Sequence, residues 1–324
     1  MDTPKERQGG LWAILLAAGQ GRRLRGMTTI NDEAVPKQFC ALRGNVSMLR
    51  GAIQRAAWVV PETHLRVVVA AEHAKWWRQE LADLPPSCVL VQPRDRGTAA
   101  GILLPLTAIL RQDPDATVLV LPADHYLEEE WILHLALEKS VALARAHPEQ
   151  VVLLGMTPDS DRTSGYGWIV PQKRSLPFGA VPVRQFREKP DAVEEADLQS
   201  RGAMISSFLT VARGSTLQTL YRRQLPDLAG TFCRRRGGSR SLESLYERIP
   251  SHDFSRDLLE RSVEQLMVVN VPHCGWADLG TPERVVRCLA THRESPAVAP
   301  ALLHPKQGFS VPVDLSRSFA AAAP

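Results

Sequence analysis

The stretch that decides the fold is Leu11-Trp12-Ala13-Ile14-Leu15-Leu16-Ala17-Ala18-Gly19-Gln20-Gly21-Arg22-Arg23-Leu24, followed at a short distance by Pro36-Lys37-Gln38-Phe39. Leu11 to Ala17 is an uninterrupted apolar run, the pattern of a strand buried on both faces of a parallel sheet. Ala18, Gly19 and Gly21 then offer a turn with almost no side-chain bulk, so backbone N–H groups can approach an anion without a Cβ in the way. Arg22, Arg23 and Lys37 bring positive charge to the same edge. A small-residue turn beside fixed cations suits a polyphosphate. It is not a Walker loop, because no Gly-x-x-x-x-Gly-Lys-[Ser/Thr] string occurs. A dinucleotide fingerprint is disfavoured too: Leu24 stands at its third glycine, and Asp32 and Glu33 come too early for the ribose acid.

The whole chain has 324 residues, 44% hydrophobic and 23% charged, enough for one large α/β domain with an appendage or two modest domains, and ample for a core. The formal charge of +4 is slight; it suits an enzyme that handles phosphates and does not by itself argue for nucleic acid, which wants a concentrated basic face. Arg234-Arg235-Arg236 is the dense basic triplet, and it has no interleaved aromatics. Cys40, Cys88, Cys233, Cys274 and Cys288 are odd in number, scattered and free of any Cys-x-x-Cys, which argues against a disulfide framework or a zinc site and points to a reducing, cytoplasmic setting. The first ten residues are polar, unlike a signal peptide, and no stretch reaches the length of a membrane span.

Along the chain, helical composition over Met48–Val60 is followed by a strand at Leu65–Ala70, a helix over Ala71–Leu84 and a strand at Cys88–Val91. Thr98 is placed to cap a helix running to Arg111. A strand at Thr117–Leu121, a long helix with Trp131, Leu135, Ala142 and Ala146 on one face, and a strand at Val151–Leu154 complete a βαβα alternation. This pattern is a doubly wound, mainly parallel α/β sheet, with ligands beyond the carboxyl ends of its strands. After Gly155 the alternation breaks. A hairpin over Gly165–Val170 and Val181–Glu188, a strand at Ile205–Val211 and a helix at Gly214–Leu225 form a mixed α+β half. Pro226 to Ser241 reads as a surface connection, Leu266–Val271 as a late strand, and Thr281-Pro282 as the start of a helix through His292. The expected organisation is a polar segment over 1–10, one domain over 11–292 with halves 11–155 and 156–292, and a loosely ordered tail over 293–324.

The glycine turn, Gln92 to Thr98 and Asp124 each follow a different predicted strand, so a parallel sheet gathers them at one edge. A carboxylate beside a phosphate site needs a cation between them, which makes Asp124 a candidate metal ligand; capping the next helix is the other reading. Asp278 in Gly275-Trp276-Ala277-Asp278-Leu279-Gly280 is the candidate second ligand. His125 and His273 read better as loop histidines. Glu188-Lys189 is either functional or an ordinary strand-end ion pair, and Gly165 and Gly167 either a site or a hairpin turn.

The segments Leu16-Ala17-Ala18-Gly19-Gln20-Gly21-Arg22-Arg23-Leu24, Pro36-Lys37-Gln38-Phe39, Gln92-Pro93-Arg94-Asp95-Arg96-Gly97-Thr98-Ala99, Leu121-Pro122-Ala123-Asp124-His125, Gly165-Tyr166-Gly167, Phe186-Arg187-Glu188-Lys189-Pro190 and Gly275 to Gly280 follow one another in the order seen in mannose-1-phosphate guanylyltransferases. The chain thus resembles the sugar-1-phosphate nucleotidyltransferases from about Leu11 to Arg287. The resemblance implies a Rossmann-like nucleotidyltransferase fold, with a nucleotide-binding half and a sugar-phosphate-binding half. It implies transfer of GMP from GTP to mannose 1-phosphate, with release of pyrophosphate and Mg²⁺ as cofactor.

By the same resemblance, Ala18, Gly19 and Gly21 cradle phosphates and Arg23 holds the leaving pyrophosphate. Lys37 neutralises charge at the α-phosphorus, Asp124 and Asp278 hold the metal, and Gln92, Gly97 and Thr98 line the base pocket. Gly167 and Glu188 bind sugar hydroxyls and Lys189 the sugar phosphate, with Ser206 in the same pocket. The implied partners are the nucleoside triphosphate and the sugar 1-phosphate, with neither nucleic acid nor membrane; a homodimer stays open. No fused isomerase domain, such as some relatives carry, is expected after the match. Two departures bear on the sugar. Ile205-Ser206-Ser207-Phe208 stands where relatives have Trp-Asn-Ser or Trp-Asn-Thr, which removes an amide donor and acceptor, and Asp95 stands where Asn is common. They keep a second reading alive, a non-catalytic nucleotide-sugar-binding or regulatory protein on the same fold.

Overall fold

The computed structural model describes residues 9–30, 33–41, 45–158, 165–174, 176–234, 239–290 and 311–312. Its centre is a nine-stranded sheet. In chain order the strands are β1 (Leu11–Ala17), β2 (Leu65–Ala70), β3 (Val89–Gln92), β4 (Thr117–Pro122), β5 (Val151–Met156), β6 (Gly167–Pro171), β7 (Ala180–Glu188), β8 (Met204–Arg213) and β9 (Leu266–Val271). In space they lie in the order β3-β2-β1-β4-β8-β5-β9-β7-β6. The first four run parallel, β1 pairing with β2 on one side and β4 on the other. β8 enters antiparallel between β4 and β5, so a strand from the second half of the chain lies inside the first. β9 is parallel to β5, and β7 and β6 follow antiparallel.

Both faces of the sheet are covered, which is why the central strands can be apolar at every position. β2, β4 and β5 are buried throughout. On one face pack α1 (Met48–Ala57), α2 (Ala74–Glu80) and α4 (Glu130–Ala146), through residues such as Leu49, Ile53, Leu133 and Leu137. On the other lie α3 (Gly97–Gln112), α6 (Gly214–Gln224), α7 (Pro226–Arg234) and α8 (Ser239–Arg248), with Ile102, Leu103, Leu217, Phe232 and Tyr246 in the core. Two further helices are α5 (Ala192–Ser200) and α9 (Pro282–Ala290). α5 is announced by Asp191, whose side chain accepts from the N–H groups of Val193 and Glu194.

Several sequence expectations are corrected. The face of α4 carrying Trp131, Leu135, Ala142 and Ala146 is the exposed one; Ile132, Leu133, Ala136, Leu137, Val141 and Ala144 are buried instead. Both stripes are apolar, and the heavier one wins the core. Pro226 to Arg234 is a helix, not a surface connection, because Leu228, Ala229 and Phe232 recur on one side. Thr98 does not cap α3: it lies inside the first turn, and its hydroxyl accepts from the N–H of Phe254 at 2.8 Å. Thr281 does cap α9, accepting from the N–H of Arg284 at 3.4 Å. The tail expected over 293–324 lies outside the described residues except for Val311–Pro312, which pairs parallel with Cys40–Ala41.

Candidate active site

Because β1, β3 and β4 are parallel, the chain segments leaving them emerge at one edge of the sheet. There, a cavity of about 270 Å³ opens between the two halves of the chain. Leu16, Gly19, Thr98 and Asp124 line it from the first half. Gly167, Glu188, Lys189, Ser206 and Asp278 line it from the second.

Lys37 is the hub. It sits in a single 3₁₀ turn, Lys37–Phe39, and is only 7% exposed. Its Nζ donates to the backbone oxygens of Asp278 at 2.7 Å and Leu279 at 3.1 Å, and lies 2.9 Å from Asp124 Oδ2. The next residue, Gln38, donates from its amide to the carbonyls of Ala17 and Gly19 at 2.9 and 3.0 Å, which fixes the glycine turn to the same segment. Gly21 takes φ +58°, and a Cβ there would come within 3.2 Å of the Lys37 backbone nitrogen. The positive φ and the close approach to Lys37 both favour glycine here.

The two acidic segments are joined by their backbones. Tyr126 and Ala277 exchange N–H···O bonds of 2.9 and 3.0 Å, which holds Asp124 and Asp278 on neighbouring chain segments at the same wall. Arg284, one turn into α9, donates to both Asp278 carboxylate oxygens, at 2.7 and 2.8 Å, and covers the Tyr166 ring at 3.7 Å. The Gly280 N–H and the Tyr166 hydroxyl complete the shell at 3.0 and 3.2 Å. Burial alone would raise the Asp278 carboxyl, but Arg284, with His125 and Lys37 beside it, outweighs that and holds it below the usual carboxylate value. The His125 ring accepts from Trp276 Nε1 at 3.2 Å, and burial pushes it down to about 4 in spite of Asp124 and Asp278, so it is neutral at pH 7. Burial also raises the Tyr166 hydroxyl, aided by the Asp278 charge.

Across the cavity, Glu188 lies 2.7 Å from Lys189 Nζ, and burial raises its carboxyl against that neighbour. A Cβ on Gly167 would stand 2.8 Å from Glu188 Oε2, so the glycine leaves the space in front of that carboxylate open. Ser206 lines the same wall, its hydroxyl accepting from the Phe208 N–H at 3.4 Å. Behind the cavity, Gln92 is buried and donates to the Tyr246 hydroxyl at 2.9 Å. Gly97, at φ +77°, faces the His252 carbonyl, which a Cβ would approach to 2.2 Å. Ala18 is half-buried beside the turn, and Arg23 is exposed at its rim with no ion pair to a described residue. Lys37, Gln92, Gly97, Ala18, Gly21 and Arg23 are not in the lining.

Three contributors escape sequence reasoning. Tyr246 is hidden in an Arg/Ser-rich stretch that folds as α8. The 252–254 segment reaches α3 through backbone groups of its own, which carry no residue signature. Arg284 follows Asp278 by six positions, a spacing with no regular meaning until Thr281 starts a helix between them.

As for a metal, Asp124 and Asp278 form a donor pair on one wall, and no cluster of three or more His, Cys, Asp or Glu side chains suited to a metal occurs among the described residues. A hard cation that completes its shell with phosphate oxygens and water fits such a pair. Lys37 and Arg284 now balance the two carboxylates.

The Nucleotidyl transferase family model matches residues 12–294. The xanthan biosynthesis protein XanB of Xanthomonas campestris pv. campestris is 30% identical over 280 residues, which cover 83% of this chain and 57% of XanB. Mannose-1-phosphate guanylyltransferase ManC of Salmonella typhimurium is 29% identical over 294 residues, 85% of this chain and 58% of ManC. The chain therefore spans little more than half the length of these relatives. Among solved structures, one described as mannose-1-phosphate geranyltransferase from Thermus thermophilus superposes with a TM-score of 0.74 at 26% identity, covering 86% of this chain and 79% of that one. With most of its length matched, the chain belongs to the nucleotidyl transferase family.

Proposed function

We propose that the protein transfers a nucleoside monophosphate, GMP from GTP, to a sugar 1-phosphate, mannose 1-phosphate, releasing pyrophosphate. The observation that carries this is the convergence of Asp124 and Asp278, both held by Lys37, on a cavity walled by the glycine turn on one side and by Gly167, Glu188 and Lys189 on the other. In the reaction, an oxygen of the sugar phosphate attacks the α-phosphorus and the bond to the β-phosphate oxygen breaks. Such transfers need positioning and charge neutralisation more than a protein nucleophile.

The backbone of Ala18, Gly19 and Gly21 holds the triphosphate, with exposed Arg23 at the rim taking the departing pyrophosphate. Lys37, buried and fixed by two carbonyls, sets a positive charge where the new bond forms. Gln92, Gly97 and Thr98 shape the base side: Thr98 from the lining itself, the other two by fixing the Tyr246 and His252 segments behind it. Glu188, made accessible by Gly167, accepts from sugar hydroxyls, Ser206 adds a short donor, and Lys189 takes the sugar phosphate. Members of this family generally work with a divalent metal ion, here Mg²⁺, held by Asp124 and Asp278. When bound, such an ion supplies neutralisation of phosphate charge.

The test is pyrophosphate release from a panel of nucleoside triphosphates and sugar 1-phosphates with Mg²⁺; silence across the panel refutes the reading. Lys37→Ala and Asp124→Asn are each expected to lower turnover by about 10²-fold or more while leaving the unfolding transition in place. The second reading, a nucleotide-sugar-binding protein without turnover, is favoured by Arg284, which engages both oxygens of Asp278. Tight nucleotide-sugar binding in calorimetry with no pyrophosphate release would select it.

A further inference from the structure

The cavity wall between the expected base and sugar sides is built by an irregular piece of β8. Ser206 pairs with Gly155 and Thr210 with Leu153, so Ser207, Phe208 and Leu209 together oppose the single residue Leu154. The bulge is fastened by polar bonds. The Ser207 hydroxyl donates to the Leu154 carbonyl at 2.7 Å and accepts from the Leu209 N–H at 3.3 Å, and the Thr210 hydroxyl donates to the Phe208 carbonyl at 3.1 Å. At its apex Phe208 takes φ +65°, in the left-handed region that a bulky residue enters only under constraint.

The effect of the bulge is to take Phe208 out of the strand alternation and put it in the cavity lining, among Thr98, Ser206, Ser207, Ser255 and Glu188. Leu16, Pro122, Tyr166 and Trp276 are also in the lining, and Phe208 packs against the core beneath it. The ring leans on Phe254, centroid to centroid 5.8 Å at 57°, and the Phe254 N–H is bound to Thr98, so the aromatic pair is tied to the start of α3. A strained backbone that holds a large ring in the cavity wall is a device for shape, since a glycine there would give the same turn without strain.

We infer that Phe208 is a specificity-determining residue for the acceptor: its ring limits the cavity to an unsubstituted hexose 1-phosphate and rejects sugars enlarged by an N-acetyl group. This rests on the nucleotidyl-transfer reading above. The limit is steric and apolar, while hydroxyl recognition stays with Glu188 and Ser206. Selection by the loss or gain of a few heavy atoms in such a pocket is worth tens to hundreds of fold.

The experiment compares wild type, Phe208→Gly and Phe208→Leu in pyrophosphate release, with mannose 1-phosphate and N-acetylglucosamine 1-phosphate as competing acceptors. The ratio of kcat/KM values is expected to move at least about tenfold toward the N-acetylated sugar in Phe208→Gly, and by less in Phe208→Leu, mostly through KM. Urea unfolding adds a second arm: Phe208→Gly is expected to be more stable than Phe208→Ala, because glycine alone takes this φ freely. An active wild type whose acceptor ratio stays within about twofold in both variants overturns the inference and leaves the transferase reading standing. A wild type silent with every sugar 1-phosphate overturns both.

Discussion

Gly97 shows how much a single position can decide. Its φ of +77° opens α3, and a Cβ would sit 2.2 Å from the carbonyl of His252, whose segment also accepts from the Ala99 N–H. Gly97→Ala is therefore expected to cost about 1–3 kcal/mol in urea unfolding and to weaken nucleotide binding in parallel, because the 252–254 segment has to move. The thiols give a second check at this scale. Burial pushes Cys40 up to about 12 and raises Cys88, whereas Cys233 is exposed. A thiol reagent at neutral pH is expected to label Cys233 at once and to reach Cys40 and Cys274 only as the protein unfolds, read by mass spectrometry of timed samples. At this scale the sequence is most legible where chemistry needs one residue type. The glycine turn, Lys37 and the two aspartates stand out for that reason, while Arg284 and Tyr246 do not, because arginine and tyrosine serve equally well on any surface.

Among the elements, helix α4 tests which side of an amphipathic pattern faces the sheet. Trp131, 60% exposed, and Leu135, 43% exposed, are on the solvent side, and Trp131 donates to Glu129 Oε2 at 2.7 Å. Trp131→Ala is expected to change unfolding free energy by no more than about 0.5 kcal/mol, and Leu133→Ala to cost about 2–5 kcal/mol. Periodicity finds this helix readily and cannot choose its face, since both stripes are apolar. Strands are easier to read from composition where both faces are buried, as in β1, β2 and β4; the bulge in β8 has no such signal, because its cause is a hydroxyl of Ser207 bonded across the sheet.

The junction of α1 and α2 carries a titrating contact. Ser47 caps α1, accepting from the Arg50 N–H at 3.1 Å, and its hydroxyl also reaches Glu80 at the end of α2. Burial raises the Glu80 carboxyl despite Ser47 and Arg50. A carboxyl raised in the native state contributes most to stability below its ordinary value and loses that contribution as pH climbs through the native one. The stability of wild type relative to Glu80→Gln is thus expected to fall as pH rises above the ordinary glutamate value of 4.5, measured by urea unfolding at each pH.

At the scale of the whole molecule, one sheet carries both halves. β5 pairs with β8 and β9, both contributed after residue 200, and β8 also closes the open side of β4. A fragment of residues 1–155 therefore leaves β5 without a partner, and it is expected to lack the near-ultraviolet dichroism of a packed core, whereas the full chain unfolds in one transition. The parallel part of this sheet is legible from its βαβ rhythm; the insertion of β8 is not, since the pairing of a strand with neighbours about 50 or more residues earlier leaves no local mark.

The paired N–H···O bonds between Tyr126 and Ala277 have a consequence for synthesis. A ribosome has to deliver some 150 further residues after Tyr126 before the two can meet. Under the proposed reaction, a nascent polypeptide stalled short of Ala277 displays a glycine turn and a lysine but no second acidic arm, and it is expected to release no pyrophosphate.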